Sequence, residues 1–158
     1  MQPTATSKRR LSPRARRIAL TAHIVASVGL LGDVAGFLAI AVRAATTPDP
    51  ALEAASYELL AMFGMVFGIP LSLASIATGV TLGLGTKWGV LRYPWVTTKL
   101  VLNVSVLVVG ALVLGPSIDE MRAGDGDAGG RLIAGAAYDV AVLTLATTLS
   151  VFKPGRAR

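Results

Sequence analysis

The chain has 158 residues, 53% of them hydrophobic and only 15% charged, with a mean hydropathy of +0.64. A soluble domain of this size carries about a quarter of its residues as charges, so the composition fits a lipid bilayer as solvent and partner. The absence of cysteine excludes disulfides, thiolate metal sites and cysteine nucleophiles, and a single histidine, His23, excludes a His-rich metal site within one chain.

The net charge of +6 does not point to nucleic acid. The basic residues cluster beside apolar runs and are not interleaved with aromatics over a face. An excess of Arg over Lys, with abundant Ala and Gly, fits a high-GC bacterial coding sequence and hence a bacterial cytoplasmic (inner) membrane.

Residues 1–17 form a basic arm (Lys8, Arg9, Arg10, Arg14, Arg16, Arg17) with Pro3 and Pro13 and little to bury. From Ile18 to Val42 the chain is apolar for long enough to cross a hydrocarbon core of about 30 Å at about 1.5 Å rise per residue. The run far exceeds the h-region of a signal peptide, so it reads as a retained first span. Asp49 before Pro50 reads as an N-cap followed by proline at the first helical position. A second helix then runs from about Ala51 to Gly85, with its span over 58–85. Pro70 inside it predicts a kink, with Ser72 as one candidate partner for the freed carbonyl.

The loop from Thr86 to Pro94 holds Lys87, Trp88, Arg92 and Tyr93, and Trp95 follows it; these are interfacial anchors. The third span covers 95–114 and is expected to stop at Gly115 and Pro116. An acidic, glycine-rich loop follows, then a fourth span over 132–152 and a basic tail, 153–158. The fold expected is all-α, a bundle of four transmembrane helices.

Orientation follows from Lys and Arg outside the spans. The arm, the middle loop and the tail hold eleven, against three (Arg43, Arg122, Arg131) in the other two loops. This asymmetry places both termini in the cytoplasm. The acids of the two outer loops agree with it.

Four ionisable residues fall inside the spans: His23, Asp33, Lys99 and Asp139. A charge at a helix centre costs about 2.5 to 3.5 kcal/mol on insertion scales, so each asks for a reason. By depth, His23 and Lys99 share an inner level, whereas Asp33 and Asp139 share an outer one. Asn103, four residues after Lys99, lies on the same helix face. His23 and Ser27 pair in the same way, and Ser75, Thr78 and Thr81 offer hydroxyls at this level. Gly29, Gly32 and Gly36 around Asp33 leave room for a neighbouring backbone. Structural readings stand beside these: Lys99 snorkelling to headgroups, His23 bonded to a neighbouring helix, the two aspartates sharing a proton, and Met62 with Met65 as packing.

A His-Ile pair early in the first span (His23, Ile24), Thr78-Gly79 late in the second, then Trp88, Trp95 and Lys99-Leu100 resemble a superfamily of small helical membrane proteins. It includes CopD-type copper-resistance domains, HemJ-type protoporphyrinogen oxidases and a bacterial family of unknown function. The similarity is greatest to the last, through Pro70 to Asn103. In HemJ-type enzymes the first-helix histidine is implicated in haem binding, with the tryptophan and lysine of a Trp-x-x-x-Lys pattern also important. By resemblance those roles fall on His23, Trp95 and Lys99, and His23 is a metal ligand only if haem b is bound. The chain departs from that pattern at Ser27, where it has methionine, and at Leu30-Leu31-Gly32, where it has Trp-x-x-Gly.

Three functions are consistent with the sequence. One is a site for a lipophilic or porphyrin-like ligand, built on His23, Trp95, Lys99 and Asn103, with a haem-linked redox role as its furthest form. The second is a cofactor-free enzyme for a lipophilic substrate, moving protons with His23, Asp33, Lys99 and Asp139. The third is a non-catalytic subunit or scaffold, including a homo-oligomer, joined through glycine faces.

Overall fold

Three of the four helices begin with the same device, a proline in the first turn where its missing N–H is not needed. The computed structural model describes residues 11–85 and 93–152. Helix α1 spans Pro13–Thr46, α2 Pro50–Gly85, α3 Pro94–Arg122 and α4 Ala128–Phe152; all four are long and apolar enough to cross a membrane. Ser12 caps α1, its hydroxyl accepting from Ala15 N at 3.2 Å. Asp49 caps α2 as the sequence suggests, one carboxylate oxygen accepting from Ala51 N at 2.9 Å and Leu52 N at 3.5 Å.

Residues 13–17 of the expected arm are therefore the first turns of α1. The Ser-Pro pair that starts them carries the same signal as Asp49-Pro50. Residues 1–10 of the arm, the basic loop with Lys87, Trp88 and Arg92, and the basic tail lie outside the described residues.

Two internal prolines are absorbed by π-helical turns. Proline has no N–H to give and its ring crowds the carbonyl four residues back. In α2 the turn Phe63–Gly68 precedes Pro70, with Ile69 N–H bonded to Gly64 O. In α3 the turn Gly110–Leu114 precedes Pro116, with Gly115 N–H bonded to Gly110 O. The wider turn shifts the hydrogen-bond register by one residue and lets the helix continue. Hence α3 does not stop at Gly115-Pro116 as expected but runs on to Arg122. The Ser72 side chain, buried in α2, makes no hydrogen bond among the described residues.

Helix α1 packs on α2 and α4, and α3 closes the bundle against the same two, leaving α1 and α3 diagonal. The apolar core has two parts. One joins Phe37, Ala41, Tyr57, Leu60, Leu114, Ile118, Leu132 and Ala136, towards the α1–α2 and α3–α4 connections. The other joins Leu30, Val34, Val106, Val142 and Leu143 at mid-bundle.

Around Asp33 the glycines make room for side chains rather than for a backbone. A Cβ on Gly29 would lie 3.5 Å from Leu71 and one on Gly36 would lie 3.2 Å from the Phe63 ring, while one on Gly32 would meet nothing within 4 Å. Met65 is 71% exposed and Met62 44%, so they face the bilayer more than they pack.

At the α1–α2 and α3–α4 end, ion pairs tie the helices together. Arg122 reaches Glu58 of α2 at 3.0 Å, and Arg131 of α4 reaches Glu120 at 2.7 Å and Asp125 at 2.8 Å.

Candidate functional site: a polar cavity among four helices

At the opposite end, below the Leu30–Val106 core, the helices part. A cavity of about 530 Å³ opens there, within the range of small-molecule sites. All four helices line it: Arg16, His23 and Ser27 from α1, Ser75 and Gly79 from α2, Trp95, Lys99 and Asn103 from α3, Thr147 and Ser150 from α4. Leucine, isoleucine and valine supply most of the remaining wall.

His23 is held by α2. Its Nδ1 lies 3.1 Å from Ser75 O and 3.0 Å from Thr78 Oγ1. A carbonyl can only accept, so Nδ1 carries the proton and donates; Thr78 Oγ1 in turn donates to Ala74 O at 2.6 Å. In the neutral ring Nε2 then keeps its lone pair, able to accept a proton, a hydrogen bond or a metal bond. Gly79 makes this placement feasible, because a Cβ there would stand 3.2 Å from His23 Cε1. Beside the imidazole, the hydroxyls of Ser27 and Ser75 are 3.1 Å apart and link the same two helices.

On α3, the Lys99 ammonium sits 5.5 Å from the centroid of the Trp95 ring, a cation–π contact that keeps it at the wall. Further in, Asn103 is 8% exposed, and its Oδ1 is buried with no hydrogen-bond partner. Thr147 and Ser150 of α4 satisfy their own hydroxyls on Leu143 O and Ala146 O.

The structure thus brings His23, Trp95, Lys99 and Asn103 to one cavity, and does not bring Asp33 or Asp139 there. Asp33 is 9% exposed beside the π-helical turn of α2, where a Cβ on Gly68 would lie 3.3 Å from its Oδ2. Asp139 is 1% exposed on α4, one residue after Tyr138, whose hydroxyl donates to Ser105 Oγ of α3 at 2.9 Å. Each aspartate has a buried Oδ1 without a partner, and neither makes a side-chain hydrogen bond among the described residues, so no proton is shared between them. No group of three His, Cys, Asp or Glu side chains is placed to hold a metal ion among the described residues.

Sequence reasoning missed Arg16, assigned to the arm, and Gly79 as the seat of the imidazole. The signal for Arg16 was present: Arg16, Leu20, His23, Ser27 and Leu31 recur at spacings of three or four, one face of a helix.

No curated protein and no solved structure matches the chain. No likeness to CopD-type or HemJ-type proteins is among the findings. The model of a family described as a predicted integral membrane protein (DUF2269) matches residues 17–153, which take in all but the first turn of α1 and the whole of α2, α3 and α4. The chain belongs to this family of integral membrane proteins.

Proposed function

We propose that the protein is a membrane-embedded binding protein for a lipophilic small molecule that offers a hydroxyl or other hydrogen-bond donor to the inner cavity. The observation that carries this reading is Asn103, a residue of the cavity wall whose buried Oδ1 has no hydrogen-bond partner among the described residues. A buried amide oxygen without a partner costs about 1 to 3 kcal/mol, and a ligand donor met by a turn of the Asn103 amide towards the cavity removes that cost. The unprotonated Nε2 of His23 supplies a second acceptor, while the apolar remainder of the wall suits the body of the molecule.

The membrane is a bacterial cytoplasmic membrane and both termini face the cytoplasm, in keeping with the Lys and Arg asymmetry of the connecting segments. The cavity then lies in the cytoplasmic half.

One observation favours a second occupant, a porphyrin. Nδ1–H bonded to a backbone carbonyl, with Nε2 bare, is the arrangement that orients an imidazole for metal ligation. His23 would hold a haem b from one side, and bound haem would supply one-electron redox chemistry; Met62 and Met65 do not line the cavity as a second ligand.

Absorption spectroscopy and mass spectrometry of the mildly extracted protein test both. Wild type is expected to carry a lipophilic molecule with an O–H or N–H donor, and Asn103→Leu, of similar volume and no orphaned acceptor, to fold but lose it. A Soret band abolished by His23→Ala identifies the porphyrin. An Asn103→Leu protein that keeps the same ligand at the same occupancy contradicts the reading.

A further inference from the structure

The ligand's headgroup follows from what the wall holds and what it lacks. Among the described residues two cationic side chains, Arg16 and Lys99, stand on it, together with His23, and no Asp or Glu does. The two acids within the spans, Asp33 and Asp139, are in packed protein elsewhere. Lys99 is part-buried and Arg16 is exposed at the mouth; a cation beside a low-dielectric wall attracts an anion more strongly than it would in water.

The wall also opens sideways. Leu20, Ile24 and Val28 of α1 line the cavity, yet they are 44%, 53% and 66% exposed, at helical spacing on one face. Within a bilayer that face meets acyl chains, so the cavity communicates with the hydrocarbon laterally and an apolar tail can lie across the opening.

We infer that the occupant is an anionic amphiphile: a carboxylate or phosphate head between Arg16 and Lys99, and a hydrocarbon tail leaving over Leu20, Ile24 and Val28. This rests on the ligand-binding reading above and deepens it. Arg16 is about two turns nearer the helix start than His23, so the anion sits towards the mouth and any donor group on the ligand points in to Asn103.

Tryptophan quenching tests it. The chain has two tryptophans, and a Trp88→Phe background leaves Trp95, on the cavity wall, as reporter. The protein in phosphatidylcholine nanodiscs is titrated with dibromostearate and with its methyl ester, which has the same brominated tail and no charge. The acid is expected to quench saturably at about tenfold lower concentration than the ester. Lys99→Gln and Arg16→Gln should each shrink that difference, and Lys99→Arg should keep it, which separates loss of charge from loss of fold.

Dodecyl phosphate should displace the acid, and inorganic phosphate should not. Equal affinities for acid and ester in the wild type overturn the inference, as does displacement by inorganic phosphate at the same concentration as dodecyl phosphate. Equal saturable binding of acid and ester, or a neutral ligand that co-purifies and depends on Asn103, leaves the binding reading standing while the headgroup assignment falls.

Discussion

The two halves of this bundle both bury polar atoms without partners, and they do so in different surroundings. In the half that holds Pro13, Gly85 and Pro94, the inner half of the proposed topology, Asn103 with its unpartnered Oδ1 lines a cavity whose other polar groups are organised: His23 is fixed by Ser75 and Thr78, and Lys99 is held on Trp95. In the other half, Asp33 and Asp139 are buried, make no side-chain hydrogen bond among the described residues and do not line that cavity. An intramembrane polar residue is therefore not by itself a binding site. It becomes one where helix packing leaves space and where neighbouring groups fix its orientation.

The largest effect expected to sharpen this contrast is in packing. Leu132→Ala empties a fully buried position of the outer core and should cost about 2 to 3 kcal/mol, at the low end of the usual range because lipid replaces water as the reference. Leu100→Ala, on the cavity wall, should cost about 0.5 kcal/mol or less. Reversible unfolding in mixed micelles reads both, and equal losses would erase the distinction between a tight outer half and an open inner one.

Next comes Asp139→Leu. It replaces an unpartnered buried carboxyl with an apolar side chain of similar size and should stabilise the bundle by about 1 to 2 kcal/mol. Strong destabilisation would mean that the carboxyl has a partner such as bound water or an ion.

How much of this was legible in the sequence depends on which physical rule decides each feature. Four apolar spans and the Asp49-Pro50 helix start follow from length and capping chemistry, and both are present. The common depth of His23 and Lys99 also follows from position along the spans, as does the presence of hydroxyls on α2 beside the imidazole. Pro116 was misleading because proline ends a helix only if the hydrogen-bond register cannot shift, and the π-helical turn at Gly110–Leu114 shifts it. The separation of Asp33 and Asp139 from the cavity was not legible, since depth along a span says nothing about where side chains of four helices leave space. Nor was the orphaned state of Asn103, which depends on every neighbour at once.

Smaller effects test the inner site. Gly79→Ala pushes a methyl to within 3.2 Å of His23 Cε1 and should cost about 1 kcal/mol, through displacement of the imidazole from Ser75. The Nδ1 proton resonance of His23 should move in this variant, whereas an unchanged resonance would show that the ring has room to spare.

The smallest expected effect lies outside the membrane. Hydrogen bonding from the Arg131 guanidinium, helped by the Asp127 N–H, holds the Asp125 carboxyl below the usual carboxylate range. A lowered folded-state pKa contributes stability that is present above the unfolded value of about 3.9 and is lost as pH falls through the folded value. Melting temperature should therefore be insensitive to this pair from neutral pH down to about 4, and below that it should fall more steeply in wild type than in Arg131→Gln. The pair is solvent-exposed, so added salt should reduce the difference.

The comparison of halves reduces to one experiment, native mass spectrometry of wild type, Asn103→Leu and Asp139→Leu prepared side by side from membranes. The account expects the same bound lipophilic molecule on wild type and Asp139→Leu, and none on Asn103→Leu. Retention of the ligand by Asn103→Leu, or its loss from Asp139→Leu with the fold intact, would contradict the account.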